Sequence, residues 1–174
     1  ATVAAVDAAL HDWLGKRAGL PPLRLLGLNP ADAPLTSFSL GIGNREEISD
    51  KVRRAAEYPI LKIKLGTSSD EETLGTVREL APDKTIRVDA NMAWSLDQAL
   101  AMLPVLRQYG VEFLEQPLPA RDIAGLGELK KAGVVPIVAD ESCVRPEDVL
   151  KVAGCVDGIN LKLSKCGGIR EALK

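Results

Sequence analysis

Residues 85–117 read TIRVDANMAWSLDQALAMLPVLRQYGVEFLEQP. The β-prone run TIRVDAN is followed by Ser95, a residue type suited to capping a helix. SLDQALAMLPVLRQYG then carries apolar residues at three- and four-residue spacing. VEFLEQP is a second β-prone run, so the stretch reads as strand, helix, strand, the unit from which parallel sheets are built. The alternation continues on both sides. Strand candidates TSFSLGI and ILKIKLG precede it, and PIVADES and GINLKLS follow. NREEISDKVRRAAEY, SDEETLGTVRELA, residues 122–132 and RPEDVLKVAG are the helical runs between them. Strand centres near Phe38, Ile63, Arg87, Phe113, Ile137 and Leu161 give a period of roughly 24 residues, the length of a compact βα unit.

Such units form either an open doubly wound sheet or a (β/α)8 barrel. The turn after the first strand, GIGNREE, lacks the third glycine of a dinucleotide fingerprint and gives the open sheet no support. Lys64, Asp89, Glu115, Asp140 and Lys162 all fall at the C-terminal ends of their strands, where barrel active sites are built. The expected fold class is therefore α/β, a TIM barrel of (β/α)8 type. About six βα units are visible, whereas a full barrel takes eight strands and about 250 residues. The chain also opens at Ala1 inside a helical pattern, ATVAAVDAALHDWLGKRAG, and stops in GGIREALK, which reads as the start of another helix. A fragment of a longer protein is expected, with residues 1–174 forming a partial barrel domain.

Composition narrows the function classes. In 174 residues, 22 Lys+Arg against 24 Asp+Glu give a net charge of −2, which argues against nucleic acid as the main partner. With 46% hydrophobic and 26% charged residues, the chain has the make-up of an ordinary globular domain. No apolar run approaches the roughly 20 residues that span a bilayer, so no membrane partner is expected. Cys143, Cys155 and Cys166 are odd in number and lack CxxC spacing. They read as reduced thiols, which makes the cytoplasm the expected compartment.

Asp89 in VDAN, Glu115 in LEQP and Asp140 in ADES end three successive strands. In a barrel they would sit side by side, and three converging carboxylates are costly unless a cation neutralises them. An all-oxygen set suits Mg2+, with Mn2+ as the alternative, better than zinc. Lys62 and Lys64 alternate with apolar residues in LKIKLG and share a face of the second strand; Lys162 ends the sixth. In an eight-strand ring, strands two and six are opposite, so Lys64 and Lys162 would face two sides of one substrate carbon. A lysine at its reference pKa of about 10.4 is a poor base, but neighbouring positive charge or desolvation lowers that value. A metal at the carboxylates would stabilise the enediolate formed when an α-proton leaves.

KIKLG, VDAN, LEQP, ADES and NLKLSKCGG, in that order and spacing, resemble the enolase superfamily, specifically its muconate-lactonizing-enzyme subgroup. The stretch from IVADESC through GCVDGINLKLSKCGGI is similar to the dipeptide epimerases within it. The resemblance implies Asp89, Glu115 and Asp140 as Mg2+ ligands, Lys64 and Lys162 as acid/base catalysts, and Lys62 as the supporting lysine of the KxK motif. It implies an N-terminal capping domain and last strands outside these residues, and it leaves the substrate-binding residues unknown. The expected function is a Mg-dependent isomerase: an epimerase, like the L-Ala-D/L-Glu enzymes, that abstracts and returns the α-proton of a dipeptide. A homo-oligomer is expected for the full-length form.

Alternatives stay open. The same metal and lysines would serve an o-succinylbenzoate synthase or a muconate cycloisomerase. A Schiff-base lyase would use Lys162 as nucleophile, though it needs no carboxylate triad. An inactive barrel fragment is the third reading. Other residues read as structural: His11 for a surface or packing role, Cys143 as a packed thiol, and Gly167 and Gly168 as a turn or an anion site before a helix. Trp94 is expected either to line the pocket or to cover the barrel rim.

Overall fold

The structure is a computed structural model describing residues 2–174. In chain order it consists of α1 (Thr2–Ala18), α2 (Pro22–Leu25), β1 (Ser37–Leu40), α3 (Arg45–Arg54), β2 (Ile60–Lys64), α4 (Asp70–Leu80), β3 (Thr85–Asp89), α5 (Leu96–Gln108), β4 (Val111–Glu115), α6 (Ile123–Ala132), β5 (Ile137–Ala139), α7 (Pro146–Val152), β6 (Gly158–Ile159), α8 (Leu163–Cys166) and α9 (Ile169–Ala172). The first residue of the expected opening helix, Ala1, lies outside the described residues. None of the described helices is long and apolar enough to cross a membrane.

Two units divide the chain. The larger, residues 35–143 and 150–160, holds all six strands. They pair in parallel in the sequential order β1-β2-β3-β4-β5-β6. Sequential order is what a (β/α)8 barrel uses, whereas a doubly wound sheet reverses direction partway across. Among the described residues, β1 and β6 are the two edges.

The helices form where the apolar spacing and caps place them. Asn44 and Ser95 each close a capping box with Glu47 and Gln98, and Asp122 accepts from the Gly125 N–H. Apolar strand residues Leu61, Ile63, Ile86, Val88, Leu114 and Ile137 cluster with helix residues such as Ile48, Leu74, Leu106 and Leu126. At the N-terminal end of the sheet, cationic side chains gather helix-terminal carbonyls. Lys84 Nζ donates to the carbonyls of Ala55, Ala56 and Tyr58 at 2.6–2.7 Å, and Arg78 donates to those of Tyr109, Pro82 and Lys84. That end is built for stability.

The last strand is shorter than its sequence indicates. GINLKLS reads as strand through Ser164, yet β6 covers Gly158–Ile159 and Leu163 already opens α8. β5 has three residues and pairs β6 only at Val138↔Gly158 and Ala139↔Ile159; a further bond from the Asn160 N–H to the Ala139 carbonyl ends the ladder.

The smaller unit comprises, of the described residues, 2–34, 144–149 and 161–174. In it α1 packs on α8 and α9. Asp7 Oδ2 accepts from the Ile169 N–H at 2.7 Å, so the anion at the start of α9 is the chain's own carboxylate. His11 Nδ1 lies 2.8 Å from the Asp7 carbonyl, a packing role as expected. Val3, Val6, Leu10 and Trp13 are exposed along α1.

Leu114 is fully buried between sheet and helices. Leu114→Ala should lower the unfolding free energy of the full-length protein by about 2–5 kcal/mol, read from the urea midpoint at unchanged slope.

Candidate metal centre

Side chains alternate along each strand, and the face of the sheet turned away from the helices is polar. Lys62 and Lys64 on β2 stand opposite Arg87 and Asp89 on β3, and Asp89 stands opposite Glu115 on β4. This face lines a cavity of about 310 Å³ with residues from every strand, Ser37, Lys62, Arg87, Phe113, Val138 and Gly158 among them. Between β3 and β4 the register slips between Ile86 and Val88. The bulge brings both Glu112 and Phe113 to Arg87: Glu112 pairs with its Nε, and the Phe113 ring lies 5.1 Å from its guanidinium carbon.

Asp89, Glu115 and Asp140 are buried, and one carboxylate oxygen from each lies within 4.8 Å of the others. Lys62 Nζ bridges two of them, 2.9 Å from Asp89 Oδ2 and 2.7 Å from Glu115 Oε2. Lys64 Nζ is also 2.7 Å from Asp89 Oδ2. Asn160 Nδ2 donates to Glu115 Oε1 at 2.7 Å.

These contacts set the ionisation of the group. Burial works against the Asp89 carboxylate, but the ammonium groups of Lys64 and Lys62 hold it below its ordinary value. Burial pushes Glu115 up, aided by the neighbouring Asp89 charge and only partly opposed by Lys62 and Asn160. Lys62 is raised: burial lowers it, yet its bonds to Glu115 and Asp89 outweigh that effect. The donor set is three carboxylates with no nitrogen or sulfur ligand among them, which fits a hard divalent ion of the Mg2+ class.

Asp140 lies one residue past β5, and Gln116 holds its backbone. The fully buried Gln116 amide accepts from the N–H groups of Asp140 and Ser142 and donates to the Leu118 carbonyl and to Ser142 Oγ. Its left-handed backbone (φ 36°) costs about 1–3 kcal/mol in a non-glycine residue, which these four bonds offset. Asp70 ties the turns after β2 and β3 together by accepting from the Gly66 N–H, the Thr67 N–H and Trp94 Nε1. Gly66 has φ +124°, and a Cβ there would come 2.5 Å from that of Ala93. Trp94 is therefore a buried rim residue bonded to Asp70, and Cys143 is a buried packed thiol.

The sequence-predicted residues Lys62, Lys64, Asp89, Glu115 and Asp140 thus share one site. Lys162 belongs to the smaller unit, where it is the N-cap residue of α8 and its carbonyl accepts from the N–H groups of Lys165 and Cys166. Gln116, Asn160, Asn91 and Asp70 hold the site without having been singled out. The motifs EQP, NLK and VDAN contain the first three, but nothing local marks their partners.

Comparison with known proteins follows the same lines. The family model described as Enolase C-terminal domain-like matches residues 46–174. The L-Ala-D/L-amino acid epimerase of Maribacter sp. is 42% identical over 174 residues, covering 99% of this chain and 50% of that protein. The crystal structure of a dipeptide epimerase from Enterococcus faecalis V583, complexed with Mg and the dipeptide L-Leu-L-Tyr, is similar at TM-score 0.90 and 37% identity, over 98% of this chain and 50% of that one. A muconate cycloisomerase from Pseudomonas fluorescens is similar at TM-score 0.89 and 30% identity, with 98% and 50% coverage. The chain spans about half the length of the curated relatives it matches.

Lys62→Met should leave Asp89 and Glu115 without their shared cation and lower the unfolding free energy by about 3–5 kcal/mol, measured by urea denaturation in metal-free buffer.

Proposed function

Because the chain belongs to the Enolase C-terminal domain-like family, we propose that it carries the metal and proton-transfer groups of a Mg2+-dependent dipeptide epimerase. The observation that carries this reading is the convergence of three buried carboxylates from successive strands beside Lys64. Relatives named as dipeptide epimerases, one crystallised with Mg and a dipeptide, support the substrate class.

In this reading Asp89, Glu115 and Asp140 hold the ion. When bound, the ion supplies positive charge that stabilises the negative charge developing on a substrate carboxylate as its α-proton leaves. Lys62 pairs with Asp89 and Glu115, helping to hold Asp89 ionised and partly opposing the effect of burial on Glu115. Asn160 donates to one Glu115 oxygen and Lys62 to the other, which fixes the orientation of this carboxylate. Lys64 works from the β2 side, taking the α-proton at Nζ from one face. Lys162 is assigned the opposite face, where its ammonium returns a proton and so inverts the centre. Reversing the two roles runs the reaction backward, as an epimerase requires.

The similarity to muconate cycloisomerase keeps a second reading, in which the same groups serve a one-base cycloisomerisation. Product analysis by NMR separates the two, since epimerisation changes configuration and cycloisomerisation changes constitution.

In the full-length protein with Mg2+ and a small dipeptide library in D2O, Lys64→Ala and Lys162→Ala should each reduce epimerisation by about 10²–10⁴-fold. One of the two should retain deuterium exchange from a single epimer. Full activity in either variant would contradict the two-lysine assignment.

A further inference from the structure

The hydrogen bonds of Lys64 do not stop at Asp89. Its Nζ also donates to Asn91 Oδ1 at 2.6 Å, and Asn91 Nδ2 donates to Glu141 Oε1 at 3.2 Å. These residues come from the end of β2, the turn after β3 and the turn after β5. Donor and acceptor chemistry fixes the direction of the chain. An ammonium only donates and a carboxylate only accepts, so the amide between them must turn its oxygen to Lys64 and its nitrogen to Glu141. Glu141 thereby sets the orientation of the Asn91 amide and, through it, the place of the Lys64 nitrogen.

The backbone is arranged to the same end. Asn91 (φ 43°) and Met92 (φ 65°) are consecutive left-handed residues, a conformation that non-glycine residues rarely adopt and that Asn tolerates well. The turn is held by bonds from the Asn91 N–H to Asp89 Oδ1, the Met92 N–H to the Gln116 carbonyl and the Ala93 N–H to the Ala90 carbonyl, all 2.8–3.0 Å. Strain maintained at a rim turn, with the strained side chain on a reactive lysine, points to a functional constraint on that side chain. The second Glu141 oxygen, Oε2, is buried without a hydrogen-bond partner, a cost that a carboxylate on the open surface would not bear.

We propose that Asn91 and Glu141 are a positioning pair that aims Lys64 Nζ at one face of the substrate's α-carbon. The inference rests on Lys64 being one of two opposed bases, as in the proposed function. Lys64 then serves one epimer and Lys162 the other, so losing the pair slows proton exchange from one epimer alone. A general structural defect slows both.

Three variants separate these cases. Asn91→Gly keeps the left-handed backbone and removes the amide. Glu141→Ala frees the Asn91 amide to turn, and Glu141→Gln retains a carbonyl acceptor for it. In the full-length protein with Mg2+, exchange into D2O is measured separately from each epimer of one dipeptide. Asn91→Gly and Glu141→Ala should cut exchange from one epimer by about tenfold or more, through kcat with KM unchanged, and Glu141→Gln should restore it. Equal losses from both epimers, or none, would overturn the pair and leave the two-lysine reading standing. Wild-type protein that exchanges neither epimer would instead overturn that reading. The pair is also tested without turnover, by the Asn91 side-chain amide resonances in 1H–15N spectra. They should move in Glu141→Ala and return in Glu141→Gln; resonances unmoved by Glu141→Ala would contradict the bond.

Discussion

Three carboxylates held within 4.8 Å of one another, all buried, are the constraint on which the rest of this molecule depends. Two unit charges about 4 Å apart repel by about 4 kcal/mol at an effective dielectric of about 20, so the cluster cannot stay ionised without cations. Lys62 answers part of that charge by bridging Asp89 and Glu115, and Lys64 answers more at Asp89. Burial is the larger influence on Glu115 and pushes it toward its neutral form, with the Asp89 charge adding to that push. A site of three convergent carboxylates with only oxygen donors is suited to a divalent ion, and the same ion would serve a reaction in which negative charge develops on a substrate.

The parallel sheet makes this convergence possible. In-register pairing sets Lys64, Asp89 and Glu115 at one level of adjacent strands, while the alternate positions carry Leu61, Ile63, Val88 and Leu114 into the packing with the helices. The two ends of the sheet divide the work. At the N-terminal end Lys84 and Arg78 satisfy helix carbonyls and tie strand to helix. At the C-terminal end the turns carry strain and polar contacts instead: left-handed Asn91, Met92 and Gln116, and a buried Asp70 that joins two loops. Stability gathered at one end permits that strain at the other.

Much of this was legible from residue order. The βα period and the alternation in LKIKLG place Lys62 and Lys64 on one face, and VDAN, LEQP and ADES mark the strand ends, because both signals are local and repeat along the chain. What escaped depends on distant partners. Gln116 acts on residues 24 and 26 positions away, and Asn91 reaches Glu141 50 positions on. Their left-handed backbones have no sequence signature, since neither residue is glycine. Trp94 could be placed at the mouth or the rim from sequence; its bond to Asp70 decides for the rim. β6 ends at Ile159 and α8 begins at Leu163, a change that the alternation in NLKLS does not reveal.

The central claim, that Asp89, Glu115 and Asp140 together hold one divalent ion, is tested most directly by calorimetric titration of Mn2+ or Mg2+ into the metal-free full-length protein and its Glu115→Gln variant. Glu115→Gln removes one anionic oxygen and keeps the size of the side chain. The account predicts one ion per chain in the wild type and a large loss of affinity in the variant. Equal binding by both proteins would contradict it.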